Sequence, residues 1–163
     1  MNINLQQIAT IKSPFCDLKN MPVQPRGAKD TYATIEFKDE FSEGLKDLDG
    51  FSHVYLIYYF HKIAEPKLSV IPFNDKTDTP RGVFSTRTPM HPNSIGLSVV
   101  ELVSVKENMV TVKGIDILDG TPLLDIKPYI ENFDKVDGEV KNGWMKSSSD
   151  EVKIMRSDER FIK

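Results

Sequence analysis

Apolar and polar residues alternate through Tyr32–Lys38, with Ala33, Ile35 and Phe37 on one face and Tyr32, Thr34 and Glu36 on the other. That period of two predicts a half-buried strand. Leu5–Lys12 is apolar-rich and runs into Ser13-Pro14, which predicts an opening strand that ends there. Val54–Phe60 is an unbroken β-branched and aromatic run, the pattern of a central strand covered on both faces. Gly82–Thr86 reads as a short strand, and Leu97–Val105 and Met109–Ile117 as two more, joined by the hairpin-length Lys106-Glu107-Asn108. Phe41, Leu45 and Leu48 recur instead at helical spacing, so Glu40–Leu48 predicts one short helix stopped near Asp49-Gly50. Asp119-Gly120, with Thr121-Pro122 behind it, predicts a turn. Short strands, many turns and one or two short helices predict an all-β fold, a closed or nearly closed antiparallel β-barrel in a single domain. No repeat or linker divides the chain. Residues 1–145 are expected to form the barrel, and residues 146–163 a charged C-terminal tail.

Composition changes this picture little. A chain of 163 residues holds one real core and is too short for two ordinary domains. No apolar run reaches the length of a membrane-spanning helix, and the first residues lack the basic and apolar regions of a signal peptide. The lone cysteine, Cys16, excludes an internal disulfide framework and makes a reducing, cytoplasmic location the expectation. Cys16 itself reads as a bystander. The net charge of −3 counts against bulk attraction to nucleic acid, so an RNA partner would have to be held by a local basic patch.

Two stretches carry candidate chemistry. In residues 82–98, Pro89 and Pro92 stiffen a loop that bears Arg87, His91 and Asn93, a pre-shaped polar site between strands. Residues 114–129 hold Asp116, Asp119 and Asp125, with Lys127 and Tyr129 close behind. Residues two apart on an extended segment share a face, so Asp125, Lys127 and Tyr129 would together accept a proton, hold a phosphate and orient a base. The same residues also fit a plain turn followed by an exposed ion pair worth under about 1 kcal/mol, and the pattern leaves both readings open. His53 and His61 flank the Val54–Phe60 run and would share a face of one strand. Neither CxxC nor HExxH accompanies them, so no metal is expected. The P-loop, GxGxxG and GxSxG motifs are also absent from the sequence.

Three runs carry a family resemblance. They are residues 50–61 (Gly-Phe-Ser-His-Val-Tyr-Leu-Ile-Tyr-Tyr-Phe-His), residues 82–98 with their Thr86-Arg87-Thr88-Pro89 and Ile95-Gly96-Leu97-Ser98, and Asp119-Gly-Thr-Pro-Leu-Leu-Asp-Ile-Lys-Pro-Tyr129. Together with the opening Ile8–Phe15 and Pro22-Val23-Gln24, they make the chain similar to the TrmO (YaeB-type) family over about residues 5–145. That resemblance implies a β-barrel tRNA methyltransferase that uses S-adenosyl-L-methionine to methylate N6 of threonylcarbamoyladenosine next to the anticodon, in the compact, single-barrel form. It implies cofactor contacts from Pro22, Gln24, His61, Lys62, Arg87, Leu97, Asp116, Ile117, Leu118 and Asp119. It places Asp125, Lys127 and Tyr129 beside the reacting adenine, and Arg26, His91 and Asn93 on the substrate side. It also implies a homodimer with the cofactor site near the subunit interface. The loop departs from the family's usual Arg-Pro-Asn-Pro, reading His91-Pro92-Asn93-Ser94. Arg to His loses a permanent charge and a bidentate fork, and Pro to Ser removes a φ lock. The departures and the net acidity keep two alternatives open: a barrel methyltransferase with a small-molecule or other non-tRNA substrate, and a non-catalytic cofactor- or RNA-binding barrel.

Overall fold

The computed structural model describes residues 3–19, 21, 28–73, 75, 77–145, 151 and 157. Six antiparallel strands close into a barrel in the order β1-β2-β7-β6-β3-β8. They are β1 (Ala9–Lys12), β2 (Tyr32–Phe37), β3 (His53–Tyr59), β6 (Ile95–Lys106), β7 (Met109–Lys113) and β8 (Thr121–Pro128). A separate two-stranded sheet, β4 (Ser69–Val70) with β5 (Arg81–Gly82), sits in the long excursion between β3 and β6. A short helix α1 (Glu131–Asp134) follows β8. The expected barrel of one domain is therefore the architecture found.

The period of two dictates what fills the barrel. Ala33, Ile35 and Phe37 of β2 point inward and meet Val110 and Val112 of β7, Val54 and Leu56 of β3, and Val100 of β6 in one apolar cluster. Each such side chain contributes roughly 1.5–3 kcal/mol by leaving water. At one end, which we call the mouth, β1, β3 and β7 finish while β2, β6 and β8 begin. Residues 114–120 cross this end and plug it with Ile115 and Ile117, both buried. Backbone bonds from Gly114 N to Thr31 O (2.9 Å) and from Gly120 N to Ile11 O (2.9 Å) fasten the plug at both sides.

Four local expectations are corrected. The opening strand is Ala9–Lys12, because only residues 9–12 find a register on β2. Glu40–Leu48 is two 3-10 turns, Asp39–Leu45 and Leu48–Gly50, broken where Asp47 takes a positive φ of 65°. Its apolar residues do what the spacing implied, since Leu45 and Leu48 are buried against the barrel with Phe41 packed beside them. Gly82–Thr86 is mostly a 3-10 turn, Val83–Ser85, beyond a two-residue strand. In β3 only Val54, Leu56 and Tyr58 are buried; Tyr55 and Ile57 are half-buried and Tyr59 exposed, because a barrel strand has one inner face. Most of the tail lies outside the described residues, but Ser157 docks on the segment before β2, with Ser157 N bonded to Met21 O (2.8 Å) and Met21 N to Ser157 Oγ (3.0 Å).

Candidate active site

The inner face of β3 and β6 carries one polar thread through the apolar core. Tyr58 pairs with Gly96 across the strands. Its ring lies so close that a Cβ at Gly96 would stand 2.2 Å from Tyr58 Cε2, so only glycine admits it. The Tyr58 hydroxyl donates to Ser98 Oγ (3.2 Å), and Ser98 Oγ donates to Asp116 Oδ1 (3.2 Å) on the plug. Tyr58 is the donor in the first bond because the single hydroxyl hydrogen of Ser98 goes to Asp116, and burial, with the Asp116 charge adding to the effect, pushes the Tyr58 hydroxyl's pKa upward. Burial likewise pushes the Asp116 carboxyl up to about 7, against the opposing hydrogen bond from Ser98. Asp116 as a residue is only half-buried, so water and a ligand can reach what the core has made reluctant to ionise.

The rest of the plug is pinned by its neighbours. Asp119 Oδ1 accepts from Ser13 N (3.0 Å), and Ser13 Oγ donates to Ile117 O (2.5 Å). Thr121 Oγ1 donates to Leu118 O (2.7 Å) and stands 3.4 Å from His61 Nδ1. Burial, with the adjacent Lys62 charge, shifts His61 toward its neutral form. Thus His61, Ile117, Leu118 and Asp119 meet at the mouth with Asp116, while Lys62 projects into solvent. His61 lies past the end of β3, so it does not share a strand face with His53 as the spacing implied.

The excursion from β3 to β6 is tied back where it starts, by Phe60 N to Ser94 O (2.9 Å). Ser94 has a positive φ of 51° and its N–H bonds to His91 O (2.9 Å). A proline, locked near −65°, could not take this conformation. The serine at this position is therefore compatible with the loop's backbone as the family's usual proline is not. His91 donates from Nε2 to Thr86 O (3.1 Å), and Arg87 and Asn93 are exposed.

Asp125, Lys127 and Leu97 lie on the other side of the wall. Across the outer face one row reads Leu97–Ile57–Asp125 and the next Val99–Tyr55–Lys127. Asp125 Oδ2 meets Lys127 Nζ at 2.9 Å, with both side chains substantially exposed. Tyr129 follows the strand end, its N–H bonded to His53 O (2.9 Å) and its ring 5.8 Å from that of Tyr55. Ile95, Leu97, Val99 and Tyr59 form an exposed apolar face beside the ion pair. Pro22, Gln24 and Arg26 lie outside the described residues.

Sequence reasoning missed Tyr58, Ser98, Thr121 and the close approach at Gly96. The available signal was Ser98, a hydroxyl at an inward position between Gly96 and Val100. A cleft lined by Ser42, Glu43, Lys46, Asp47, Asp49 and Glu107 lies at the opposite barrel end, and its lining offers neither imidazole nor thiol. Among the described residues, no group of three or more His, Cys, Asp or Glu could hold a metal ion, and no helix is long and apolar enough to cross a membrane.

With the barrel and its mouth in view, known proteins give the context. The family model of the tRNA-methyltransferase O N-terminal domain matches residues 10–135. A Pyrococcus abyssi protein named as a probable S-adenosyl-L-methionine-binding protein is 47% identical over 155 residues, covering 95% of this chain and 83% of its own length. The mouse tRNA (adenine(37)-N6)-methyltransferase is 34% identical over 143 residues, which are 82% of this chain and 32% of that enzyme. A crystal structure of TrmO superposes with a TM-score of 0.74 at 38% identity, over 88% of this chain and 64% of that one. This chain thus spans less than two thirds of the crystallised TrmO chain and about a third of the mouse enzyme. It belongs to the tRNA-methyltransferase O N-terminal domain family.

Proposed function

We propose that the protein is an S-adenosyl-L-methionine-dependent tRNA methyltransferase that acts on N6 of threonylcarbamoyladenosine next to the anticodon. The observation that carries this reading is Asp116: a half-buried carboxyl at the mouth of a TrmO-family barrel, held by Ser98 and reluctant to ionise alone. Such a carboxyl gains when a cation settles beside it, and the methyl donor is cationic at both its sulfonium and its α-ammonium. The donor set therefore fits the cofactor. His61, Leu118 and Asp119 would share its binding with Asp116, joined by Pro22, Gln24, Lys62, Arg87 and Leu97.

When bound, S-adenosyl-L-methionine supplies an electrophilic methyl on a positively charged sulfur. The protein's own contribution is position and electrostatics. Asp125 accepts the proton leaving the adenine N6. Lys127 sits against that carboxylate and, with Arg87, holds a phosphate or the threonylcarbamoyl carboxylate. Tyr129 orients the base, and Arg26, His91 and Asn93 contact the substrate. The exposed Ile95–Leu97–Val99–Tyr59 face supports a homodimer in which a second copy covers the apolar wall and brings the outer groups against a cofactor site. An enzyme of this kind works in the cytoplasm.

Incubation with labelled donor and tRNA, with and without the threonylcarbamoyl group, tests the substrate. Methyl incorporation only into the modified tRNA, located by mass spectrometry of anticodon-loop nucleosides, is the expected result. Transfer to a small molecule, or donor binding with no transfer to any RNA, would replace this reading with one of the two alternatives. For Asp125→Ala we expect donor binding unchanged and methyl transfer reduced by roughly 100-fold or more. Near-normal turnover would remove Asp125 from its role.

A further inference from the structure

Residues 79–100 are the longest stretch of this chain without a carboxylate, and they contain Arg81, Arg87 and His91 in a protein of net charge −3. Within them the turn Val83–Ser85 is fixed from several sides. Val83 N donates to Leu68 O (3.0 Å), Thr86 N and Oγ1 donate to Val83 O (3.0 and 2.7 Å), and Ser85 Oγ donates to Gly82 O (2.8 Å). Trp144 Nε1 reaches back from beyond α1 to Ser85 O (2.8 Å). Val83 is 1% exposed and anchored with Val70 and Met90, yet its neighbour Phe84 is 75% exposed.

A lone exposed apolar side chain is ordinary. A phenyl ring held in water by a rigid turn, within a cationic stretch, is not. The His91 ring meets Phe84 edge-on at 5.8 Å and 70°. Arg81 lies 5.3 Å over the Trp144 ring, but its charge is offset by Asp75 at 2.6 Å, whose pKa the Arg81 hydrogen bond, with help from Thr77, lowers to about 2. The other arginine of the stretch, Arg87, is exposed and follows Phe84 by three residues.

We propose that Phe84, with His91 against its ring and the exposed Arg87 three residues on, is a stacking platform for an unpaired nucleobase of single-stranded RNA, a role that extends the substrate-side part given above to Arg87 and His91. The aromatic face takes the base and the Arg87 guanidinium takes an adjoining phosphate, the combination single-stranded nucleic acids require. The proposal rests on the reading of RNA as substrate. It also supplies the local basic patch that an acidic protein needs for such a partner.

The test uses the whole chain without methyl donor and an anticodon-loop oligonucleotide, followed by fluorescence of Trp144, the protein's single tryptophan. RNA should change that emission. Phe84→Ala should weaken binding about tenfold, the effect of removing one stacked base, and Phe84→Tyr should restore most of it, with thermal stability unchanged in both. If the wild type binds the RNA and Phe84→Ala binds it equally well, the platform is overturned and the functional reading stands. If the wild type binds no RNA, both fall. A change in oligomeric state in place of RNA affinity would assign the ring to a protein contact and also overturn the platform.

Discussion

Asp116 and Asp125 are nine positions apart, one on the plug at the barrel mouth and the other on the outer face of β8. Asp116 lies on the inner side, tied through Ser98 to a buried tyrosine, and its surroundings push its pKa to about 7. Asp125 lies on the outer side, its charge met by Lys127 at 2.9 Å. The residue type is the same, yet burial makes the Asp116 carboxyl costly to ionise, while Asp125 is substantially exposed and ion-paired. The difference comes from desolvation, which acts on a group only where the fold withdraws water. A single Asp-rich run therefore holds one desolvated carboxyl at the mouth and one exposed, ion-paired carboxyl on the outer wall.

Neutralising the inner carboxyl should give the largest effect. Between its unfolded value near 3.8 and its folded value near 7, folded Asp116 keeps a proton that the unfolded chain has lost. The wild type should therefore lose stability as pH rises through that window, by a few kcal/mol at most, solvent access reducing it. Asp116→Asn should not show this slope. Its melting temperature should match the wild type near pH 4 and exceed it at pH 8, while donor binding weakens. Parallel curves for the two proteins would refute the inner–outer contrast.

Gly96→Ala strikes the same thread from its far end. The new methyl would overlap Tyr58 at 2.2 Å, and overpacking of this kind costs about 1–3 kcal/mol. The melting temperature should fall by roughly 5 °C, and an unchanged value would show that the tyrosine does not sit over the glycine. Ser94→Gly should stabilise the closure of the excursion by about 1 kcal/mol, because Ser94 sits at a φ of 51° that glycine adopts freely. Ser94→Pro should lower the melting temperature for the opposite reason. The smallest effect belongs to the outer wall: Lys127→Ala removes an exposed ion pair and should change stability by less than about 1 kcal/mol in denaturant titration. A larger loss would mean that the outer pair is structural.

Much of the fold was legible. Alternation in Tyr32–Phe37 placed Ala33, Ile35 and Phe37 inside, and the Glu107-Asn108 turn joins β6 to β7 as the spacing implied. The strand in Val54–Phe60 was located correctly, but its covering was not, since an apolar run reads alike whether one face or two are buried. Helical spacing at Phe41, Leu45 and Leu48 found the right apolar contacts and the wrong helix type, because two 3-10 turns bring the same residues to one side. In the candidate site, the Asp125–Lys127 pairing was legible from the period of two. The Tyr58–Ser98–Asp116 thread was not, because it joins positions 40 and 18 apart in sequence.

By itself the sequence determined the periodicities, and with them where several strands run, the inner face of β2, the turns and the acid-free stretch from 79 to 100, since all of these depend on neighbours along the chain. Only the tertiary structure decided which aspartate is desolvated, that a tyrosine lies over Gly96, and that Phe84 is held out in water against His91. Each of those depends on what a closed barrel brings together across strands, and on where it excludes water.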